Sequence, residues 1–422
     1  MKNRSLGIAI LIVAISLATA WAIRGQFGHE QGAAWAGAIG GLALVVASNR
    51  KDWYNKMVLI ALAAALGWGA GGMISYGQVV GYGRADNFVN VFYGLGMLFV
   101  IGALFGLLGG GLVGLVLDST AAKRVKWGNL VAEMTAGGLI TYYFLVEQIG
   151  FKMTPPRSEA WAIILGAGLA MLWYMGREER SSPIRVAILS ALGGGFGFAF
   201  GNFLQVVGNV FEIPFNMWNV MEYSIGFFGG TGMAYGVFSS TWPTDKAQPR
   251  TWANRSALLV LVLIIPLIVF RESLTYGHLL DRLGRITDSE TVIYYSAIFV
   301  LVVLFMMVLV YLYSLWKLPY TRRDIIRFLL GYLVVYTIMS YVVVGLFAGH
   351  MILNHHLYVL NIIVLTVLVK IGHSNVLPNH STENLPSKKW FLIFLALVVF
   401  IAMLSVIAIS LHGELPRSQN RF

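Results

Sequence analysis

Charge in this chain is confined to short clusters between long apolar runs, and that pattern constrains the fold more than any other feature. Thirteen stretches read as membrane spans: 6–23, 31–48, 57–79, 90–117, 128–149, 159–175, 186–208, 218–240, 256–270, 291–316, 328–348, 356–370 and 390–411. A helix needs roughly 20 mostly apolar residues to cross a bilayer core. Charged residues make up 12% of the chain and hydrophobic residues 58%, whereas a soluble domain carries about 25% charge. An ordinary soluble enzyme is excluded, and so is a disordered chain, which would be polar and charge-rich. The expected fold is an all-α polytopic membrane protein with about 13 transmembrane helices.

The basic residues orient it. With the N-terminus inside, 21 of the 30 Lys and Arg fall on the inner loops and nine on the outer ones. This is the bias expected of cytoplasmic loops. An odd number of spans then puts the C-terminus outside. The net charge of +11 belongs to the inner membrane surface, so membrane lipids are the expected partners and nucleic acid is not. The location that fits is a bacterial inner membrane. The chain has no cysteine, which excludes disulfides, thiolate catalysis and Cys-based metal sites, and no cofactor is expected. Lys2, Arg4 and Ala18-Thr19-Ala20 give the first span the look of a signal peptide. An internal repeat argues that the span is retained.

That repeat pairs Gln78-Val79-Val80-Gly81 with Gln205-Val206-Val207-Gly208, Ala34-Trp35-Ala36 with Ala160-Trp161-Ala162, and Asn90-Val91 with Asn219-Val220. It divides the chain into two parallel four-helix repeats, 1–126 and 127–250, followed by a five-helix part, 251–422. Parallel repeats are a transporter architecture. Glycines crowd the spans of both copies, at 67–72, 109–111, 193–201 and 226–232. Two readings are open: close helix packing through small residues, or helix breakage that frees backbone groups around a cavity.

Polar groups gather toward the outer face. The first outer loop, Arg24 to Gly32, holds His29 and Glu30, which suit proton relay or general acid–base work. A second histidine group, His350, His355 and His356, follows span 11. Its spacing is not that of a zinc signature, and metal binding there is the weaker reading. The stretch 271–290 reads as an amphipathic helix on the membrane surface, with Arg282 facing head groups or a cavity. Ionisable residues inside spans are costly and mark function by default; Glu147 and Glu222 have no sequence-local cation. The expected substrate-binding set is Arg24, Gln78, Arg84, Asp86, Glu147, Gln205, Glu222 and Arg282.

Three function classes follow. The first is a transporter or flippase for a polar, sugar-like or lipid-linked solute, coupled to protons through Glu222 or Glu147 and open to the extracytoplasmic face. The second is a membrane-embedded glycosyl- or acyltransferase on that face using His29, Glu30 and His350. Polyprenyl-phosphate-dependent glycosyltransferases likewise place an acid in their first outer loop, a likeness of architecture alone. The third is a structural subunit of a membrane complex.

Overall fold

The computed structural model describes residues 2–28, 30–244, 249–344, 353–372 and 387–422. Among them every regular element is helical. In chain order these are α1 (Lys2–Arg24), α2 (Glu30–Ser48), α3 (Lys51–Tyr54), α4 (Met57–Gly72), α5 (Gly77–Tyr82), α6 (Phe88–Asp118), α7 (Trp127–Tyr142), α8 (Ala160–Arg177), α9 (Ser181–Val210), α10 (Met217–Phe238), α11 (Thr251–Leu259), α12 (Ile265–Ser273), α13 (Tyr276–Leu283), α14 (Glu290–Leu315), α15 (Arg322–Val343), α16 (Leu353–Ile371) and α17 (Ser387–Leu411). A π-helical turn, Tyr143–Gln148, continues α7, and another, Val260–Ile264, joins α11 to α12.

Among the described residues ten segments are long and apolar enough to cross a membrane: most of α1 and α17, all of α2, α6, α8, α9, α14, α15 and α16, and the rod 251–273 formed by α11 and α12. Sequence reading expected thirteen. The other three, 57–79, 128–149 and 218–240, fall on α4, α7 and α10. Helix α4 stops at 16 residues, where Gly69, Gly71 and Gly72 weaken it; glycine costs a helix about 1 kcal/mol relative to alanine. A turn through Met73–Tyr76 follows, closed by Met73 N–H on Ala70 O and Ile74 N–H on Gly71 O, and the short α5 resumes. Helix α10 carries Asn219, Glu222, Ser224 and Thr231 among five glycines. It is polar because it is enclosed by protein.

Six helices close a ring of alternating direction, in the order α1, α2, α4, α6, α9, α10 and back to α1. A glycine lies on every seam. A Cβ placed on Gly32 would sit 2.9 Å from Arg24 O, on Gly37 2.5 Å from Ala64 O, and on Gly71 2.8 Å from Phe105 Cα. One on Gly110 would lie 2.6 Å from Ser190 Cβ, on Gly197 2.5 Å from Ser224 O, and on Gly226 2.6 Å from Ala18 Cα. Lipid supplies no hydrophobic drive between helices, so backbone approach through small residues holds such a ring. This decides between the two readings of the glycines. Close packing accounts for 193–201, 226–232 and 109–111, which lie in the unbroken α9, α10 and α6. Breakage occurs only after 69–72, at the end of α4.

The ring is plugged. Trp21 meets Trp68 edge-on at 5.1 Å and Phe105 at 5.4 Å, and Phe105 stacks on Phe198 at 6.0 Å. Such pairs are worth about 0.5–1.5 kcal/mol beyond their buried area. Outside the ring, α7 and α8 form a hairpin against α6, α15 packs on α2 and α1, α16 on α1, and α17 on α6 and α9. Residues 1–126 therefore supply four ring helices, 127–250 supply two plus the outer hairpin, and 251–422 wrap the outside. The two matched segments differ: Gln78–Gly81 lies on α5 beyond a break, whereas Gln205–Gly208 lies within α9. Asn90 and Asn219 share a helix-start contact. Each gives its backbone N–H to an asparagine N-cap three residues earlier, Asn87 on α6 and Asn216 on α10.

Candidate functional site

The site lies at the end of the ring where α1 finishes and α10 begins. Arg24, the last residue of α1, gives one guanidinium nitrogen to Glu222 Oε2 at 2.8 Å and to the Tyr76 hydroxyl at 2.7 Å. Tyr76 O–H donates to the other carboxylate oxygen, Glu222 Oε1, at 2.6 Å. All three side chains are buried. The break after α4 places Tyr76 here, since an unbroken helix would carry that residue onward past the ring. The Arg24 guanidinium lies 4.5 Å from the Trp21 ring centre, a cation–π contact that strengthens out of water. Tyr76 meets Phe198 at 5.0 Å and stacks on Trp218 at 6.2 Å. A buried ion pair costs desolvation that its attraction barely offsets, so it is weak evidence for stability. Its position beside an aromatic plug makes it a candidate for function.

Sequence reasoning named Arg24 and Glu222. It missed Tyr76, whose signal was an aromatic residue just beyond a glycine cluster inside an expected span.

A second network adjoins the first through the loop after α1. Gln26 Nε2 lies 3.2 Å from His355 Nε2, Ser340 Oγ donates to Gln26 Oε1 at 2.7 Å, and Ser340 Oγ lies 3.0 Å from His355 Nε2. Arg282 on α13 donates to Gln26 O at 2.9 Å. Burial holds the Arg282 guanidinium below its ordinary value. The 271–290 segment thus clamps the first loop. In that loop Gly28 takes φ +89°, a conformation costly for any residue with a Cβ. Helix α16 adds a polar ladder: Asn354 Nδ2 donates to Asn219 Oδ1 at 2.8 Å, and Asn219 Nδ2 donates to the Tyr358 hydroxyl at 2.6 Å. Ser340 and Tyr358 had no sequence signal, because single polar residues at helical spacing are common in any span.

The remaining expected residues scatter. Gln78 and Arg84 line a cavity of about 220 Å³ above Trp218, with Arg157, Arg417 and Gln419. Burial, and then the charge of Arg417, pull Arg84 below its ordinary value. Gln205 is buried and accepts from Asn202 Nδ2 at 3.3 Å. Glu147 and Asp86 are exposed, Glu147 on the π-turn of the outer hairpin and Asp86 beside Asn87. Glu30 is exposed at the start of α2. His29 and His350 lie outside the described residues. His356 faces the Tyr341 hydroxyl at 3.1 Å, while His355 faces Ser340 and Gln26, so these neighbours serve different partners. Among the described residues no three His, Asp or Glu side chains converge as a metal site.

A larger cavity, about 590 Å³, opens at the far end of α4. Leu59, Leu62, Leu66, Leu112 and Val116 wall it, and Lys56, Arg124 and Arg250 stand at its rim. Its lining is mainly apolar, unlike that of the smaller cavity above Trp218. The polar end of the ring holds the ion pair, the tyrosine and the arginine-lined cavity together. No family model matches the chain, and no curated protein or solved structure matches it either.

Proposed function

We propose that the chain is an integral membrane transporter or flippase that receives a polar solute at the Arg24–Tyr76–Glu222 centre. In this reading it crosses the bilayer thirteen times with the N-terminus inside, and the centre faces the extracytoplasmic side of a bacterial inner membrane. The observation that carries the reading is the buried ion pair at the polar end of a glycine-seamed, aromatic-plugged ring. A solute that reaches the centre exchanges hydrogen bonds with Tyr76 and Arg24. Protonation of Glu222 removes its attraction for Arg24 and frees the guanidinium for the solute, which couples binding to a proton. Small residues along the seams suit the sliding of packed helices that opens one end and closes the other. The lateral cavity at Lys56, Arg124 and Arg250 is where lipid chains rest against the moving ring.

The absence of cysteine permits a test that needs no substrate. Phe105→Cys puts a thiol in the plug, with Gly77→Cys and Ala121→Cys as exposed references at the two ends of the ring. A carrier must expose position 105 to a membrane-impermeant maleimide from at least one side as it cycles. Complete protection from both sides, with both references labelled, overturns the reading.

One observation favours an acyltransferase as second reading. Ser340 Oγ and His355 Nε2, at 3.0 Å, have the spacing of a nucleophile and its base. His355 Nδ1 is buried, and among the described residues no group bonds it in the orienting role that such sites use. Ser340→Ala abolishes turnover in an acyltransferase and spares a carrier.

A further inference from the structure

The cavity above Trp218 gathers cations from three separate segments. We propose that Arg84, Arg157 and Arg417 form a binding site for a small oxyanion, a phosphoryl or carboxylate group. Arg84 is 8% exposed, and its Nε is buried without a hydrogen-bond partner among the described residues. Among the described residues none of the three arginines makes an ion pair with a carboxylate. A buried charge without a partner is expensive, and proteins avoid one unless a counter-charge arrives. Here two further guanidinium groups line the same cavity and raise that cost by repulsion.

The convergence is built by the surrounding fold. Arg84 follows α5, its N–H bonded to Gly81 O at 3.1 Å. Arg157 stands on the loop before α8, which Glu159 organises by accepting Met153 N–H at 2.8 Å and Thr154 N–H at 3.0 Å. Arg417 belongs to residues 412–422, which fold back over α5: Gln419 N–H bonds Gly81 O at 3.1 Å, and Phe422 N–H bonds Asn90 Oδ1 at 3.0 Å. Arg417 itself takes φ +63°, an uncommon conformation for a residue with a side chain. A volume of about 220 Å³ holds one phosphate-sized group, with Gln78 and Gln419 as additional amide donors. Guanidinium forks match phosphoryl and carboxylate oxygens two at a time. Trp218 lines the cavity and stacks on Tyr76, so an anion here sits one aromatic layer above the Arg24–Glu222 pair. The inference deepens the carrier reading by naming the class of its solute, and it rests on that reading for the step from ligand to solute.

The test is inorganic phosphate, titrated calorimetrically into the purified protein at constant ionic strength with chloride as the reference anion. Saturable binding is expected. Arg84→Gln should weaken it about tenfold or more, the loss of a charge-assisted set of hydrogen bonds. Arg157 and Arg417 are exposed, so their Gln variants keep the fold and should each weaken binding by roughly two- to tenfold. Arg285→Gln, exposed and outside the cavity, should change nothing. Phosphate that binds no better than chloride, or equally well to all variants, overturns the proposal. Nanodiscs separate the sources of the anion. Equal phosphate affinity in phosphatidylcholine and phosphatidylglycerol discs supports a soluble anion, and weaker affinity in phosphatidylglycerol supports a lipid head group in the same site. Phosphate binding together with a fully protected Phe105→Cys would sink the carrier reading and leave the anion site standing. A labelled Phe105→Cys without phosphate binding would do the reverse.

Discussion

The ring and the outer helices solve the same problem, a helix in lipid, in opposite ways. In α2, 89% of the residues in its most apolar window are buried, and in α17 only 22%. Yet α17 is rich in Leu, Val, Ile and Phe, whereas α2 is built from Ala and Gly. The outer helix needs bulk apolar side chains because lipid is its neighbour. The ring helix needs small ones because another backbone is its neighbour. Between these two helices, apolar bulk follows exposure to lipid and not closeness to the site. Helix α10, which carries Glu222, is not among the ten segments that length and hydropathy identify.

Breaking the ring should cost far more than eroding the outside. Gly110→Leu drives a side chain into Ser190 and Val186 O, which a Cβ alone would approach to 2.6 and 2.9 Å. Two rigid helices cannot yield locally, so the cost should reach or exceed the ~1–3 kcal/mol typical of overpacking. The check is the yield and thermal midpoint of detergent-extracted protein. Phe394→Ala on the exposed face of α17 should stay within about 0.5 kcal/mol of the parent. If both variants behave alike, the ring is not the stabilising unit.

The next effect is electrostatic. Glu222→Ala leaves the Arg24 charge buried beside Tyr76, and removal of one partner of a buried pair typically costs about 3–5 kcal/mol. Arg24→Ala should cost a similar amount. The double variant should be much less destabilised than the sum, because neither charge is then stranded. Additive losses in a thermal-stability cycle would mean that the two residues do not depend on each other.

The contrast also explains what the sequence made legible. The all-helical membrane fold follows from apolar run length, which is a local property. Arg24 and Glu222 stood out because an ionisable group in a span is conspicuous wherever its partner lies. Their pairing was not legible: the two are 198 residues apart, and only ring closure between α1 and α10 brings them together. The same holds for Arg417, which reads as an ordinary terminal arginine until residues 412–422 fold over α5. Glu147 shows the converse. It looks like Glu222 in sequence, an acid near a span end without a cation. It belongs to the hairpin outside the ring, where its side chain is exposed. Burial within the assembled ring separates these two acids, and it is a property of the whole chain.

The smallest effect sharpens the comparison at its boundary. Asn361 on α16 donates to Thr19 Oγ1 at 3.0 Å and to the Tyr223 hydroxyl at 3.4 Å, so it ties an outer helix to α1 and α10. Hydrogen bonds between membrane helices average about 0.6 kcal/mol, because the separated helices find other partners. Asn361→Leu should therefore lower stability by roughly that amount and leave the Arg24–Glu222 coupling energy unchanged. A loss comparable to that of Glu222→Ala, or a collapse of the coupling, would make α16 part of the ring's own structure and move the boundary between the two regions outward to include it.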